Sequence, residues 1–374
     1  MAEGFSVSPV PPGKGWRSSP GGRDDGQGGR LNLCPPHRPS QLGCDGSPPG
    51  EAPEKAALVS VIVPCYNAAI FLPEALQSAL QQTYPRIEIL VVDDGSTDGT
   101  PEVARRYPVH YIRQENRGVS AARNAGIAHS HGEFLVFLDA DDRLASTGVE
   151  DGMTALEQNP HCMMAVGEHR YILEDGASAG VSRKGPARRD LYTMLLESNF
   201  VESVGSAIYR RDVFDREGGF DNSLDAAEDY ALYLRITRRN AAVIHRAVVS
   251  EYRLHGSNTS RNSELMLRRT LEVMDRERRH IEGDPGRLRA YRKGLRGWRR
   301  KYGRQLSFEL ARAGRPGGEG RPEGVKLLAR EYPFGALMLV MLRFIPRGLV
   351  DAVRRSRPGA SSNPSCPQQE RPRR

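Results

Sequence analysis

Between Leu58 and Asp139 the apolar positions of this chain alternate between two spacings. LVSVIVP (58–64) and IEILVVDD (87–94) are short, continuous, β-branched apolar runs, the pattern of strands covered on both faces. Between them, FLPEALQSALQQ sets Leu72, Ala75, Leu76, Ala79 and Leu80 on one helical stripe, with Pro73 in the first turn, where it is tolerated. PEVARRY (101–107) predicts a second helix, VHYIRQ (109–114) a third strand, GVSAARNAGIAHS (118–130) a third helix and EFLVFLD (133–139) a fourth strand. Strands and helices that alternate in this way imply right-handed βαβ crossovers and a parallel sheet, whose ligands bind beyond the carboxyl ends of the strands.

Beyond residue 144 the pattern is less regular. DLYTMLLESNFV predicts a helix, SAIYRRDVF a short strand entering a helix, and EGGFDNSLDAAEDYALYLRITRRN a loop followed by a helix with Leu232, Tyr233 and Ile236 inward. AAVIHRAVVSEYRLHG supplies one or two closing strands, and from Ser263 the pattern is helical. The stretch from Gly167 to Ser206 reads as irregular loops that would shape the pocket walls. No internal repeat is visible.

Composition divides the chain further. Residues 1–56 are rich in Gly, Pro and Ser without apolar periodicity, and residues 356–374 are polar and Pro-rich, so both are expected to remain disordered. The leader has no apolar core of the signal-peptide kind. What remains is a domain at 57–262 and a basic helical extension at 263–355. Five scattered cysteines suggest neither a disulfide framework nor a CxxC metal site, which fits a cytoplasmic setting. The net charge of +8 is concentrated late, with fourteen Lys or Arg against five Asp or Glu between Arg268 and Arg304. Without an aromatic-interleaved platform or a base-reading motif, that charge argues against nucleic acid. Together with the apolar segment Phe334 to Val350, it suggests peripheral contact with an anionic membrane face; simple packing on the catalytic domain is the alternative.

The candidate chemistry lies at strand ends. Asp93 and Asp94 end the second strand, and VFLDADDRL brings Asp139, Asp141 and Asp142 to the end of the fourth. Clustered carboxylates at the lip of a core repel one another and ask for a cation; Mg²⁺ or Mn²⁺ takes one or two of them and completes its shell from substrate phosphates. Taken alone, the cluster also suits a haloacid-dehalogenase-type phosphatase or a response-regulator receiver. The former places its D-x-D on the first strand rather than the fourth and has Thr or Val where Arg143 stands.

The ordered set of motifs decides between these. SVIVPCYN, VVDDGSTDGT, ENRGVSAARNAG, FLDADD, GGFD, AEDYALYLRI and YRLHGSNTS, over about residues 58 to 262, resemble the family 2 nucleotide-sugar glycosyltransferases. The resemblance implies an α/β GT-A-type, Rossmann-like, mostly parallel sheet flanked by helices. It also implies a divalent metal (Mn or Mg), a nucleoside-diphosphate-sugar donor and an inverting transfer to a carbohydrate or lipid-linked acceptor, as in cell-surface polysaccharide or glycolipid synthesis. By the same resemblance, Pro64, Tyr66, Asn67, Asp93 and Asp94 meet the donor's nucleoside, with Arg123 and Asn124 nearby. Asp141 binds the metal, Asp139 contacts ribose or a metal-bound water, and Asp142 shares either task. His255 stands near the metal-bound diphosphate, with Arg253 and Ser260 as candidate phosphate contacts. Asp229 is the expected general base, with Glu228 orienting it or replacing it; an acidic first helical turn is the plain structural alternative. Ala231 and Tyr233 depart from the acidic residue and Trp usual in that helix. The absence of a QxxRW motif argues for single additions rather than processive synthesis. A non-catalytic nucleotide-sugar-binding protein and a Mg-dependent phosphohydrolase are the competing function classes.

Overall fold

A computed structural model describes residues 56–183, 190–256, 258–313 and 322–337 of the chain. The expected leader up to residue 55, the C-terminal tail and the Phe334 to Val350 segment beyond residue 337 lie outside the described residues.

The first half follows the apolar pattern closely. β1 (Val59–Cys65), α1 (Leu72–Leu80), β2 (Ile87–Asp93), α2 (Thr100–Ala104), β3 (His110–Arg113), α3 (Val119–His129) and β4 (Phe134–Phe137) alternate along the chain. β1 pairs in parallel with both β2 and β4, and β2 in parallel with β3, so their carboxyl ends share one edge. Every residue of β1 is buried, because its side chains serve two cores. Val59, Val61 and Val63 pack with Leu72 and Leu76 of α1 on one face, while Ile62 faces Ala122 of α3 on the other.

Beyond β4 the sheet becomes mixed. The elements are β5 (Arg143–Leu144), α4 (Gly148–Gln158), β6 (Cys162–Leu173), β7 (Ser178–Ser182), α5 (Leu191–Glu197), β8 (Ala207–Arg210), α6 (Asp212–Glu217), α7 (Glu228–Arg239) and β9 (Ala241–Leu254). Strand order is β3-β2-β1-β4-β8-β6-β9-β5, with β7 hydrogen-bonded to β6. β8 runs antiparallel to β4 and β6, whereas β9 runs parallel to β6 and returns antiparallel to β5. Gly167 to Leu173, expected as loop, therefore belongs to strand β6, and the closing segment is one strand of 14 residues.

α8 (Ser263–Arg278), α9 (Pro285–Ala313) and α10 (Pro322–Glu331) follow. They are not a separate layer: Leu267, Met274, Trp298, Tyr302, Leu306 and Leu328 join the same core as Phe137, Tyr209 and Tyr233. Where α9 crosses α5, a Cβ on Gly294 would collide with the Leu196 carbonyl, so this close approach requires glycine. Among the described residues no helix is long and apolar enough to cross a membrane.

Candidate active site

Because β1, β2 and β4 are parallel, the loops after them converge at one edge of the sheet. The loop after β1 carries Tyr66 and Asn67, and the loop after β4 carries Asp139 to Asp142. The first turn of α7 adds Glu228 and Asp229, and the end of β9 delivers His255 from the far side. Together they border a cleft of about 850 Å³, lined by Pro64, Tyr66, Asn67, Arg123, Asp139, Asp141, Glu228, Asp229 and His255 among others. That volume lies within the usual range for ligand sites. The only non-glycine residues with positive φ among those described, Asn67 (50°) and Ala227 (59°), both lie on this cleft. A left-handed alanine directly before Glu228 is a backbone cost that the neighbouring structure must offset, and it aims the first turn of α7 at the cleft.

An arginine ties the two acidic motifs together. Arg123 of α3 is buried; its Nη1 donates to Glu228 Oε1 at 2.6 Å and its Nη2 to Asp139 Oδ1 at 2.7 Å. Its guanidinium also lies over the Phe220 ring, 5.0 Å from the centroid. The expectation that Arg123 faces the nucleotide is thus refined: it lines the cleft but serves as an internal counter-ion. Glu228 is held in this pair, which leaves Asp229 as the carboxylate without a cationic partner among the ion pairs described. Burial, and then the charge of Glu228, push Asp229 up to about 7. The Arg123 charge and the Tyr230 N–H, which donates to Asp229 Oδ1 at 2.6 Å, oppose that shift without cancelling it. A carboxylate poised near neutrality is what general-base work requires.

Across the cleft, Asp139, Asp141 and Asp142 each offer an oxygen within 4.8 Å of the others. Their surroundings differ. Asp142 is 1% exposed, and its oxygens accept from the Arg253 N–H (2.8 Å) and Ser203 Oγ (3.4 Å). The side chains of Asp139 and Asp141 are 33% and 31% exposed and face the cleft. Asp142 therefore braces the loop while keeping an oxygen within reach of the other two carboxylates. Asp141 Oδ2 lies 2.7 Å from His255 Nε2, whose ring packs on Phe71 at 5.2 Å. Burial, and next the Asp139 charge, raise Asp141 above the ordinary carboxylate range. Two cleft-facing carboxylates that repel each other, with an imidazole beside one of them, are a donor set that fits Mn²⁺ or Mg²⁺.

Several sequence expectations need correction. Asp93 is fully enclosed and accepts from Tyr111 Oη at 2.5 Å and the Ser96 N–H at 2.8 Å, so it holds the scaffold and does not line the cleft. Asp94 is 3% exposed and accepts from Gln114 Nε2 and the N–H groups of Arg117 and Gly118, shaping the loop behind the cleft wall. Asn124 clamps Phe220, donating to its carbonyl and accepting from its N–H, and likewise does not line the cleft. Arg253 is no phosphate contact. It is wholly buried over Phe71, and donates from Nε to the Asp141 carbonyl, from Nη1 to the Glu174 carbonyl and from Nη2 to Glu74 Oε2. It thereby joins the start of α1 to the acidic loop. Ser260 lines the cleft and bonds Tyr252 Oη at 3.0 Å.

Sequence reasoning missed one wall. α9 contributes Trp298, Lys301, Tyr302 and Gln305 to the cleft. The signal was present: Tyr291, Gly294, Trp298, Tyr302, Leu306 and Leu310 recur every three or four residues, masked by the basic residues between them.

Known proteins can be set beside this geometry. Residues 60–218 match the family model described as Glycosyl transferase family 2. The chain is 32% identical over 213 residues to an uncharacterized glycosyltransferase of Rickettsia typhi, covering 54% of this chain and 66% of that protein. It is 33% identical over 184 residues to the uncharacterized glycosyltransferase EpsJ of Bacillus subtilis, covering 46% and 54%. The chain thus spans just under two thirds of the former and about half of the latter. Among solved structures, S. aureus TarS 1–349 in complex with UDP-GlcNAc aligns with a TM-score of 0.56 at 20% identity, covering 76% of this chain and 83% of that one. The mannosyltransferase PcManGT from Pyrobaculum calidifontis, in complex with GDP-Man and Mn²⁺, aligns with a TM-score of 0.51 at 22% identity, covering 82% and 88%. These two likenesses speak to the fold. The match over residues 60–218 and these likenesses support a family 2 glycosyltransferase with a GT-A-like fold.

Proposed function

We propose that this protein transfers a sugar from a nucleoside-diphosphate-sugar to an acceptor hydroxyl, with inversion, in the synthesis of a cell-surface polysaccharide, glycolipid or related glycoconjugate. One observation carries the reading: Asp139 and Asp141 on one side and Asp229 on the other line a single cleft. The half-exposed Tyr66 and the Pro64–Asn67 turn offer a wall for the donor's nucleoside, and Asp139, Asp141 and His255 would hold a divalent cation. When bound, that cation neutralises the charge of the diphosphate leaving group. The ligands of the two solved structures, UDP-GlcNAc in one and GDP-Man with Mn²⁺ in the other, support a donor of this class.

In the reaction, Asp229 takes the proton of the acceptor hydroxyl as that oxygen bonds to the anomeric carbon. The bond from that carbon to the diphosphate oxygen breaks, and its electron pair leaves with the nucleoside diphosphate. Arg123 holds Glu228 in place beside Asp229, and this neighbouring carboxylate helps keep the base poised. Thermal-shift screening of UDP- and GDP-sugars tests the reading. Stabilisation by at least one donor with Mn²⁺, lost in EDTA, is expected; no response to any nucleotide sugar, or turnover indifferent to EDTA, contradicts it.

The same reading sets the enzyme against the anionic cytoplasmic face of a membrane. A groove of about 560 Å³ between α8, α9 and α10, lined by Arg268, Arg278, Arg292, Arg299 and Arg330 against Glu272, Asp275 and Glu331, supports this. Co-sedimentation with anionic vesicles at low salt and release at high salt is the expected result, and no co-sedimentation at low salt removes this part of the reading.

A further inference from the structure

The cleft does not end at its aromatic wall. Asn199, Glu202, Trp298 and Lys301 border the cleft on one side and, on the other, a second cavity of about 500 Å³. The proposed base borders the same cleft as this wall, and Tyr230, the next residue in α7, meets Trp298 edge-on with ring centroids 5.7 Å apart. The shared wall therefore stands on the side of the cleft where an acceptor hydroxyl must approach Asp229.

The wall is rigid and polar at its surface. Trp298 and Tyr302 are stacked with nearly parallel planes (7°) and centroids 5.6 Å apart, and the Lys301 ammonium lies over both rings, at 5.4 and 5.2 Å. The Glu202 carboxylate is fixed by Tyr171 Oη and stands 3.6 Å from His169 Nε2. Ser182, Ser198 and Asn199 add hydroxyl and amide groups to the second cavity, and Phe200 with Trp298 adds aromatic surface. Sugars combine hydroxyl groups that hydrogen-bond such side chains with C–H faces that settle on aromatic rings, and both features are present.

We infer that the acceptor is a glycan of at least two sugar units, its terminal unit in the cleft beside Asp229 and its penultimate unit in the cavity under α9. This inference rests on the transferase reading and adds the acceptor's class. It makes Asn199, Glu202 and Lys301 specificity residues that the family region at 60–218 does not supply alone, since Lys301 comes from α9.

Gly297 provides a selective test. It borders the second cavity but not the cleft, is exposed, and a Cβ there would meet nothing within 4 Å. Gly297→Phe adds a side chain beside that cavity, on a helix that gains stability when glycine is replaced. The measurement is kcat/KM for full-length enzyme with Mn²⁺ on matched p-nitrophenyl mono-, di- and trisaccharides of glucose, galactose and N-acetylglucosamine, with donor hydrolysis followed in parallel. In the wild type a disaccharide is expected to exceed its monosaccharide by about tenfold or more, the equivalent of ~1.4 kcal/mol of added binding. Gly297→Phe should abolish that step and leave donor hydrolysis unchanged, and Lys301→Ala should reduce it. Equal use of mono- and disaccharides, a step that survives Gly297→Phe, or an enzyme that hydrolyses donor yet glycosylates none of these saccharides overturns the inference. Absence of donor hydrolysis in the wild type removes the transferase reading itself, and this inference with it.

Discussion

Asp229 has two duties that oppose each other. As a base it must be ionised, yet it sits buried beside Glu228, and that environment lifts it to about 7. The sign for catalysis follows directly: the protonated acid cannot accept a proton, so the rate of transfer should fall about tenfold per pH unit below pH 7 and level off above it. The sign for stability is the reverse. The folded protein holds this proton more tightly than the unfolded chain does, so the stabilisation that the group contributes is complete below the unfolded value near 4 and lost as pH rises through 7. At pH 8 an ionised, buried Asp229 therefore weighs against folding by an amount on the order of a few kcal/mol. Asp229→Asn should melt about 5 °C higher than the wild type at pH 8, with the gap narrowing toward pH 4; scanning calorimetry across that range checks it. A variant that melts lower at pH 8 contradicts the burial argument. Arg253 shows the opposite economy. Its charge is wholly buried, yet its guanidinium meets two backbone carbonyls, a carboxylate and an aromatic face, so it rigidifies the acidic loop without taking part in chemistry.

Among the elements, α9 joins the basic extension to the site. Its seam of Gly294, Trp298 and Tyr302 faces inward, and Gly294 sets how closely the helix approaches α5. Two effects compete at that position. Alanine improves helix propensity by about 1 kcal/mol, whereas a methyl group driven against the Leu196 carbonyl costs ~1–3 kcal/mol in overpacking or backbone displacement. Because the obstacle is backbone and cannot swing aside, the clash should win. Gly294→Ala is expected to destabilise the fold by ~1–2 kcal/mol in urea unfolding and to lower acceptor affinity by shifting Trp298 and Lys301. Gly297→Ala, three residues along and facing open space, should instead stabilise by about 0.5 kcal/mol or more. Equal effects at the two positions would contradict the packing described for this crossing.

At the level of the whole molecule, the parallel half of the sheet and the meeting of its acidic loops were legible in sequence, and the wall built by α9 was not. β1, β2 and β4 are covered on both faces, so burial wrote itself into continuous apolar runs, and their parallel pairing brings the acidic loops to one edge, as the alternation implied. β9 is mostly half-buried and reads as a mixture of Arg, His, Ser and Val, and it finds β6 and β5 across long sequence separations that no local pattern encodes. Residue types at the strand ends were foreseen, but their division of labour was not. Asp93, Asp94 and Asn124 belong to the frame, because burial and hydrogen-bond partners, which depend on the tertiary structure, separate a bracing side chain from one that faces the cleft. The contribution of α9 to the cleft was hidden for a related reason: a helix with one inward seam among many basic residues looks like a solvated surface until its partner is known.

The account turns on a cleft that holds a nucleotide sugar at one acidic loop while a separate carboxylate, Asp229, takes the acceptor's proton. The most direct test is the rate of sugar transfer at saturating donor with Mn²⁺, compared between wild type and Asp229→Asn, with donor affinity measured on the same samples. The account predicts donor affinity within about threefold of wild type and a rate lower by ~10² or more. Near-normal turnover in Asp229→Asn, or a parallel loss of donor binding, would contradict it.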